Sequence, residues 1–252
     1  MNHTIEISAT IVLFKEDIET LQATVDCFLN TPFSKKLFLI DNSPTNTIKK
    51  HFQNSEIEYI FSGSNLGFGK AHNLVLNKIK NLSRVHLVLN PDVVFEPQVI
   101  PRLMKELESD STVSMISPQV FYPNGDLQYT CRKAPTFLGL LYRKLSVFKN
   151  KVFEIEYRNQ DVSKPFYPEF MYGSFMLFNT NDFLNTNGFD TRYFLYMEDA
   201  DICRMQFDKG KRILYFPKVN ILHVHRRESS RNLRLFYLHL ISAIKYFKKW
   251  GF

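Results

Sequence analysis

The run YFLYMEDADICR (residues 193–204) sets three carboxylates, Glu198, Asp199 and Asp201, directly behind an aromatic stretch. Acids in the first turn of a helix meet the positive end of its dipole, a stabilisation of about 0.3–1 kcal/mol. Acids carried into apolar surroundings have a second use. Desolvation raises a carboxyl pKa, and a carboxylate in that balance can take a proton from a hydroxyl as a general base. Locally the two readings stand side by side. LNPDV (89–93) holds one more carboxylate, Asp92, behind a proline. It reads either as a turn residue or as a ligand for Mg²⁺ or Mn²⁺. Such an ion takes one or two protein carboxylates and fills its other positions with diphosphate oxygens and water. ILHVHRRESSRN (221–232) offers His223 and His225, of which at most one is expected in a given metal site. The same run carries Arg226, Arg227 and Arg231, which suit phosphate; the blander reading is a solvated basic loop.

GSNLGFGK (63–70) resembles a phosphate loop only at first sight. A Walker A loop needs Gly-x4-Gly-Lys-Ser/Thr, but Ser64 stands at the first glycine and Ala71 at the hydroxyl. The spacing of Gly63, Gly67 and Gly69 also misses the dinucleotide pattern GxGxxG. Gly67 and Gly69 would let the backbone approach a neighbour closely, with Asn65 free to cap or hydrogen-bond.

These residues need a scaffold, and the first half supplies an alternating one. TIVLF (10–14), KKLFLI (35–40), EYIF (58–61), RVHLVL (84–89) and VSMIS (113–117) read as strands. Asp17 caps a predicted helix with Ile18, Leu21, Val25 and Phe28 at helical spacing, and a second helix is predicted over 97–108. Continuous apolar strands alternating with helices imply an α/β fold, a mostly parallel sheet covered on both faces. Ligands then bind beyond the carboxyl ends of the strands, where Asp41-Asn42-Ser43, Asn65 to Lys70 and Asn90-Pro91-Asp92 fall. In the second half, YPNGDLQY (122–129) reads as a hairpin turn, 131–165 as a basic loop or flap and 170–179 as a strand. Residues 211–217 and 219–225 read as two more strands. From Leu233 an apolar stripe at 233, 236, 237, 240, 241, 244 and 247 predicts an amphipathic helix.

The 252-residue chain is long enough for a sizeable core. Its three cysteines show no metal or disulfide spacing, which fits a reducing, cytoplasmic compartment. No apolar run reaches the roughly 18–20 residues of a membrane span. The net charge of +7 is uneven: from Arg204 onward only Asp208 and Glu228 oppose twelve basic residues. That asymmetry implies an anionic partner. A nucleic-acid binder is excluded by the acids at the strand ends and the absence of a helix-turn-helix or aromatic RNA platform.

Taken together, the clusters resemble the inverting family 2 glycosyltransferases of GT-A fold, in particular the rhamnosyltransferase-like group. The resemblance spans roughly residues 8–245. It rests on a strand running into DNS, then NLGFGKAHN, LNPDV and GFDTRYFLYMEDADICRM, and a histidine before RRESSRN and a final helix. It implies one Rossmann-like GT-A domain over 1–252, with a nucleotide-sugar half (1–118), an acceptor half (119–231) and a basic C-terminal helix (232–252). It implies Asp41 and Phe14 at the nucleotide base, and Asn65 and Gly67 beside the nucleotide and sugar. Asp92 corresponds to a metal ligand of the family's Asp-x-Asp motif, Asn90 replaces the first Asp, and His223 completes a Mg²⁺ or Mn²⁺ site, with His225 its competitor. Arg227 is implied at the diphosphate. Asp199 corresponds to the catalytic base and Glu198 to its neighbour; Asp201 is left a structural role. The implied donor is a dTDP- or UDP-linked sugar, foremost dTDP-L-rhamnose, and the implied acceptor a saccharide or lipid-linked saccharide of cell-surface polysaccharide. The C-terminal helix is expected to touch an anionic membrane through Lys245, Lys248, Lys249, Trp250 and Phe252. The rival expectation, drawn from Asn90, is a catalytically inactive sugar-nucleotide-binding module.

Overall fold

The structure, a computed structural model, describes residues 4–145, 148–224 and 233–251. Three parallel strands open the sheet: β1 (Ile5–Leu13), β2 (Lys35–Asp41) and β3 (Ile57–Phe61). Between the first two lies α1 (Ile18–Leu29), whose N-cap Asp17 accepts from the Thr20 N–H as its spacing predicted. A broken helical segment follows β3. It comprises α2 (Phe68–His72), a 3-10 turn and α3 (Leu76–Ile79). Next come β4 (Ser83–Leu89), the two-residue β5 (Val93–Val94), α4 (Val99–Ser109) and β6 (Val113–Phe121). The hairpin read in YPNGDLQY is present: β7 (Leu127–Gln128) folds back on β6.

The segment read as a flap is partly ordered into β8 (Cys131–Arg132), α5 (Phe137–Leu145) and α6 (Lys149–Ile155). The chain then runs through β9 (Phe170–Met171), β10 (Phe175–Asn179), α7 (Thr180–Asn185), α8 (Glu198–Asp208), β11 (Arg212–His223) and α9 (Leu233–Trp250). The two strands expected over 211–225 are one. Pro217 does not end β11, because a register shift between Phe216 and Asn220 absorbs it against β6.

The sheet order is β3-β2-β1-β4-β10-β6-β11-β5. The first four strands are parallel, as the alternation implied. The departure lies in the centre, where β10 inserts antiparallel between β4 and β6. Alternate side chains feed two apolar layers. Ile7, Leu39 and Leu87 meet α1 and α4 on one face. Phe38, Val88 and Phe178 meet α8 and α9 on the other. Burial on both faces is why the strands read as unbroken apolar runs. The interruption in β4, His86, is buried and its pKa is pushed down to about 3 by that burial. Ser8 and Thr10 of the neighbouring strand satisfy both of its ring nitrogens, at 2.7 and 3.2 Å.

Candidate active site

The β1–β2 register pairs Leu13 with Asp41, and β4 ends beside them at Leu89. Phe14, Asp41 and Asn90 therefore emerge along one edge of the sheet. Phe14 is exposed there. Asp41 is fully buried: one carboxylate oxygen accepts from the Ser43 N–H at 2.8 Å, the other from the Tyr59 hydroxyl. Tyr59 is a site neighbour that the sequence did not flag; burial, and then the Asp41 carboxylate, hold its phenol well above the usual pKa. Beside Asp41, the Asn42 amide donates to the Gly67 carbonyl at 3.1 Å. Asn65 accepts from the Gly67 N–H at 2.9 Å, an Asx turn that shapes the loop.

That loop is locked to the segment before α8. Gly67 has φ +82°, and a side chain there would run into the Phe194 carbonyl oxygen. The Phe68 N–H donates to the same carbonyl at 3.1 Å. A Cβ on Gly69 would lie 2.7 Å from the Phe189 Cβ. Asn73 holds the Phe189 backbone from both ends, accepting its N–H at 2.9 Å and donating to its carbonyl at 2.7 Å. NLGFGKAHN and GFDTRYFLY are thus two halves of one clamp, and the glycines serve protein–protein approach within it.

The Asp92–His223 pair is built by the two-residue strand β5. β5 pairs antiparallel with the end of β11, His223 opposite Val93, and the Val224 N–H donates to the Asp92 carbonyl at 3.0 Å. The His223 Nε2 lies 3.2 Å from the Asp92 Oδ1, with the Asn90 amide nitrogen 3.4 Å away. Residues two apart on a strand share a face, so alternation does not choose between the two histidines. β11 ends at His223, which stands beside Asp92. His225 and Arg227 lie outside the described residues.

Gln128 was also missed by sequence reading; it carried no signal beyond its place in the hairpin. Its amide nitrogen donates to the His223 carbonyl at 3.2 Å, which turns the amide oxygen towards the His223 Nδ1, 2.9 Å away. The imidazole Nδ1–H donates to that oxygen, so Nε2 faces Asp92. A proton or a metal ion between Nε2 and the carboxylate satisfies both.

Across the cavity stands the acidic turn. Tyr196 and Met197 both have φ +70°, rare for residues with side chains, at a cost of order 1–3 kcal/mol each. They swing the chain so that α8 begins at Glu198, and its first turn carries all three acids. The acids thus start a helix, and two of them line a cavity. Asp199 is half-buried, and its Oδ1 accepts from the Ala200 N–H at 2.8 Å. Glu198 is buried, and its Oε2 has no partner among the described residues. Desolvation, and then the Asp199 charge, push its carboxyl up to about 8. Asp201 is fully buried and points away, accepting from Tyr193, Trp250 and Lys249.

The linkage sign for Glu198 follows. Its folded pKa exceeds the unfolded value, so the folded state holds an extra proton between the two. The contribution to stability is present below about 4.3 and is lost as pH rises through about 8. Glu198→Gln is expected to flatten this loss. Melting temperatures of the two proteins should separate progressively between about pH 4.3 and 8, the interval between the unfolded and folded pKa of Glu198, with the variant the higher at the alkaline end. Parallel curves would show that Glu198 does not titrate there.

One cavity of about 1240 Å³ takes in Asn90, Gln128 and His223 on one side and Glu198 and Asp199 on the other. The turn at Gly173-Ser174 joins the two sides: the Asn90 N–H donates to the Ser174 carbonyl at 3.0 Å, and a Cβ on Gly173 would lie 3.8 Å from the Asp199 Cβ. α5, α6 and the start of α9 contribute the remaining wall. Among the described residues no three His, Cys, Asp or Glu side chains converge on a point.

The contacts expected between the C-terminal helix and a membrane are largely committed elsewhere. Lys249 reaches Asp190 at 2.9 Å and Asp201 at 2.8 Å, and Lys245 donates to the Arg192 carbonyl at 2.6 Å. The Trp250 indole N–H donates to Asp201 at 2.7 Å. Lys248 is exposed; Phe252 lies outside the described residues.

Comparison with known proteins agrees with this geometry. The family model for Glycosyl transferase family 2 matches residues 8–183. The chain is 28% identical over 223 residues to the rhamnosyltransferase WbbL of Escherichia coli K12, covering 84% of this chain and 81% of that one. It is 25% identical over 202 residues to an N-acetylglucosaminyl-diphospho-decaprenol L-rhamnosyltransferase of Mycobacterium tuberculosis, of which it spans 64%. Among solved structures it resembles GalNAc-T7 with UDP, GalNAc and Mn²⁺ at TM-score 0.68 and 16% identity, over 89% of this chain and 44% of that one. It also resembles the mannosyltransferase PcManGT of Pyrobaculum calidifontis with GDP-Man and Mn²⁺ at TM-score 0.62 and 13% identity, over 96% and 65%. The sheet with helices on both faces is the GT-A fold that these neighbours share. The chain belongs to glycosyl transferase family 2, within its rhamnosyltransferase-like group.

Proposed function

We propose that this glycosyltransferase moves L-rhamnose, with inversion, from dTDP-L-rhamnose to a saccharide or lipid-linked saccharide in cell-surface polysaccharide synthesis. The observation that carries the reading is the opposition, across one cavity, of an acidic pair and His223, whose Nε2 is paired with Asp92 behind it. Rhamnose is supported by the names of the two relatives above. Asp199 accepts the proton of the acceptor hydroxyl. The freed oxygen attacks the anomeric carbon from the face opposite the nucleoside diphosphate. The bond to the diphosphate oxygen breaks and its electron pair leaves with the diphosphate. Glu198, neutral at pH 7, keeps a second negative charge away from Asp199. Asp41 and Phe14 bound the base pocket, and Asn65 and Gly67 shape its loop.

The residues also fit a divalent ion. A carboxylate and an imidazole nitrogen 3.2 Å apart, the imidazole oriented by Gln128, make a donor pair for Mg²⁺ or Mn²⁺. Asp92 and His223 would hold the ion, with Asn90 beside them. A bound ion would offset charge growing on the diphosphate. Gln128→Leu, which removes the oxygen that orients the imidazole, is expected to weaken Mn²⁺ binding by about 10–100-fold. Calorimetric titration measures it; an unchanged affinity would remove Gln128 from the site.

The reading is tested by melting the protein with nucleotide sugars, with and without Mn²⁺. At a hundredfold excess over Kd the true donor should raise Tm by about 5–10 °C. No response to any nucleotide sugar would overturn the assignment. A donor that binds and is never turned over, even with an acceptor, would favour the inactive binding module.

A further inference from the structure

Two helices that wall the cavity leave large apolar side chains in solvent on their other sides. On α9, Leu233, Tyr237, Leu240 and Ile244 are 85%, 62%, 46% and 47% exposed. Their spacing puts them on one stripe. On α5, Phe137 and Leu138 are 61% and 56% exposed. The same two helices contribute Leu140, Leu235 and His239 to the cavity. Clustered exposure of this kind marks an interaction surface rather than ordinary scatter.

Charge selects the partner. From Lys133 to Phe153 the chain has five basic residues and no acid; from Leu233 to Trp250 it has four and no acid. Lys149, Arg234 and Lys248 are exposed. Lys133 and Lys151 pair with Glu154, and Lys245 and Lys249 are tied inward; the cations beside the apolar stripes are Lys149 and Lys248, with Arg234. An acid-free, cationic helix with an apolar face lies well in the headgroup layer of an anionic bilayer, where its apolar side chains sink to about 5–10 Å. Each basic residue near such a surface strengthens partition by roughly fivefold, and the attraction fades with salt. No described helix is long and apolar enough to cross a membrane, which leaves this surface to lie on one.

We propose that α5 and the outer face of α9 form a docking surface for an anionic phospholipid bilayer, with the cavity opening beside the headgroups. This differs from a contact through the end of α9, whose Lys249 and Trp250 hold the protein together. The inference stands whichever sugar the enzyme transfers.

The test is co-sedimentation of the full chain with vesicles of phosphatidylcholine alone or mixed with phosphatidylglycerol. The chain should partition onto the mixed vesicles, less so as salt rises. The pair Leu240→Glu with Ile244→Glu, and separately Leu138→Glu, should each weaken partition at least about tenfold. Lys149→Glu with Lys248→Glu should weaken it on mixed vesicles only. Unchanged melting, and unchanged stabilisation by nucleotide sugar, would show that the variants fold and keep the donor site. Equal binding to both vesicle types, no binding, or unaltered partition in the variants would overturn the proposal. So would a dimer in lipid-free buffer that the α9 variant dissolves, since the stripe would then belong to a second copy.

Discussion

Asp199→Asn is expected to lower the rate of transfer by about 10²–10⁴-fold, the usual contribution of a general base. Donor affinity should stay nearly unchanged. The choice of Asp199 over its neighbour rests on burial. Glu198 is buried, and desolvation with the Asp199 charge beside it pushes its carboxyl up, which disfavours the charged form that a base needs. Asp199 is half-buried and reaches the cavity. The amide keeps the bond to the Ala200 N–H and the shape of the turn, and removes only the basic lone pair. Single-turnover transfer, with donor affinity read separately by calorimetry, isolates the chemical step. A variant within tenfold of the parent, roughly the scale of a positioning effect, would end the base assignment. Glu198→Gln should cost far less, since it replaces one neutral side chain by another.

The second large effect is on stability. Asp201→Ala should cost about 3 kcal/mol, the lower end for removing one partner of a buried ion pair. Tm should then fall by about 6–12 °C. The loss is at the lower end because Lys249 keeps Asp190, 2.9 Å away. Tyr193 and Trp250 lose their shared acceptor outright. Asp201→Asn keeps an oxygen for those two donors and should lose about half as much. Thermal melting in the same buffer checks both; a fall within about 2 °C for the alanine variant would show that the cluster adds little. Activity should drop further than stability explains. The end of α9 and the Ser242 hydroxyl, which donates to the Leu195 carbonyl at 2.8 Å, brace the turn that aims Asp199.

Much of the first half was legible because each parallel strand is buried on both faces and so reads as an apolar run bounded by turn residues. The α1 cap, the α4 helix and the strand-end clusters follow from local chemistry. The rest depended on pairing at long range. Nothing local tells β10 to run antiparallel between β4 and β6, since an apolar strand pairs in either direction. Pro217 suggested two strands because a proline breaks a ladder, and only the bulge against β6 absorbs it. Tyr59 and Gln128 escaped notice because a lone hydroxyl or amide gains meaning from what it meets across the fold. Asp201, read as structural, is held by Lys249, Trp250 and Tyr193, partners far along the chain or across the turn that its local sequence does not announce.

The central position of β10 also sets an order of events at the ribosome. β4 is complete at Leu89 and β10 at Asn179. At about 5–20 residues per second of synthesis, the open edge of β4 waits roughly 5–18 s for its neighbour. During that interval an apolar strand edge is available to other chains, the usual template for aggregation. A nascent chain stalled before β10 should therefore recruit chaperones more than one stalled soon after it. The strand that joins the two halves of the sheet is thus also the step that covers the waiting edge of β4, while β6 keeps its other edge for β11.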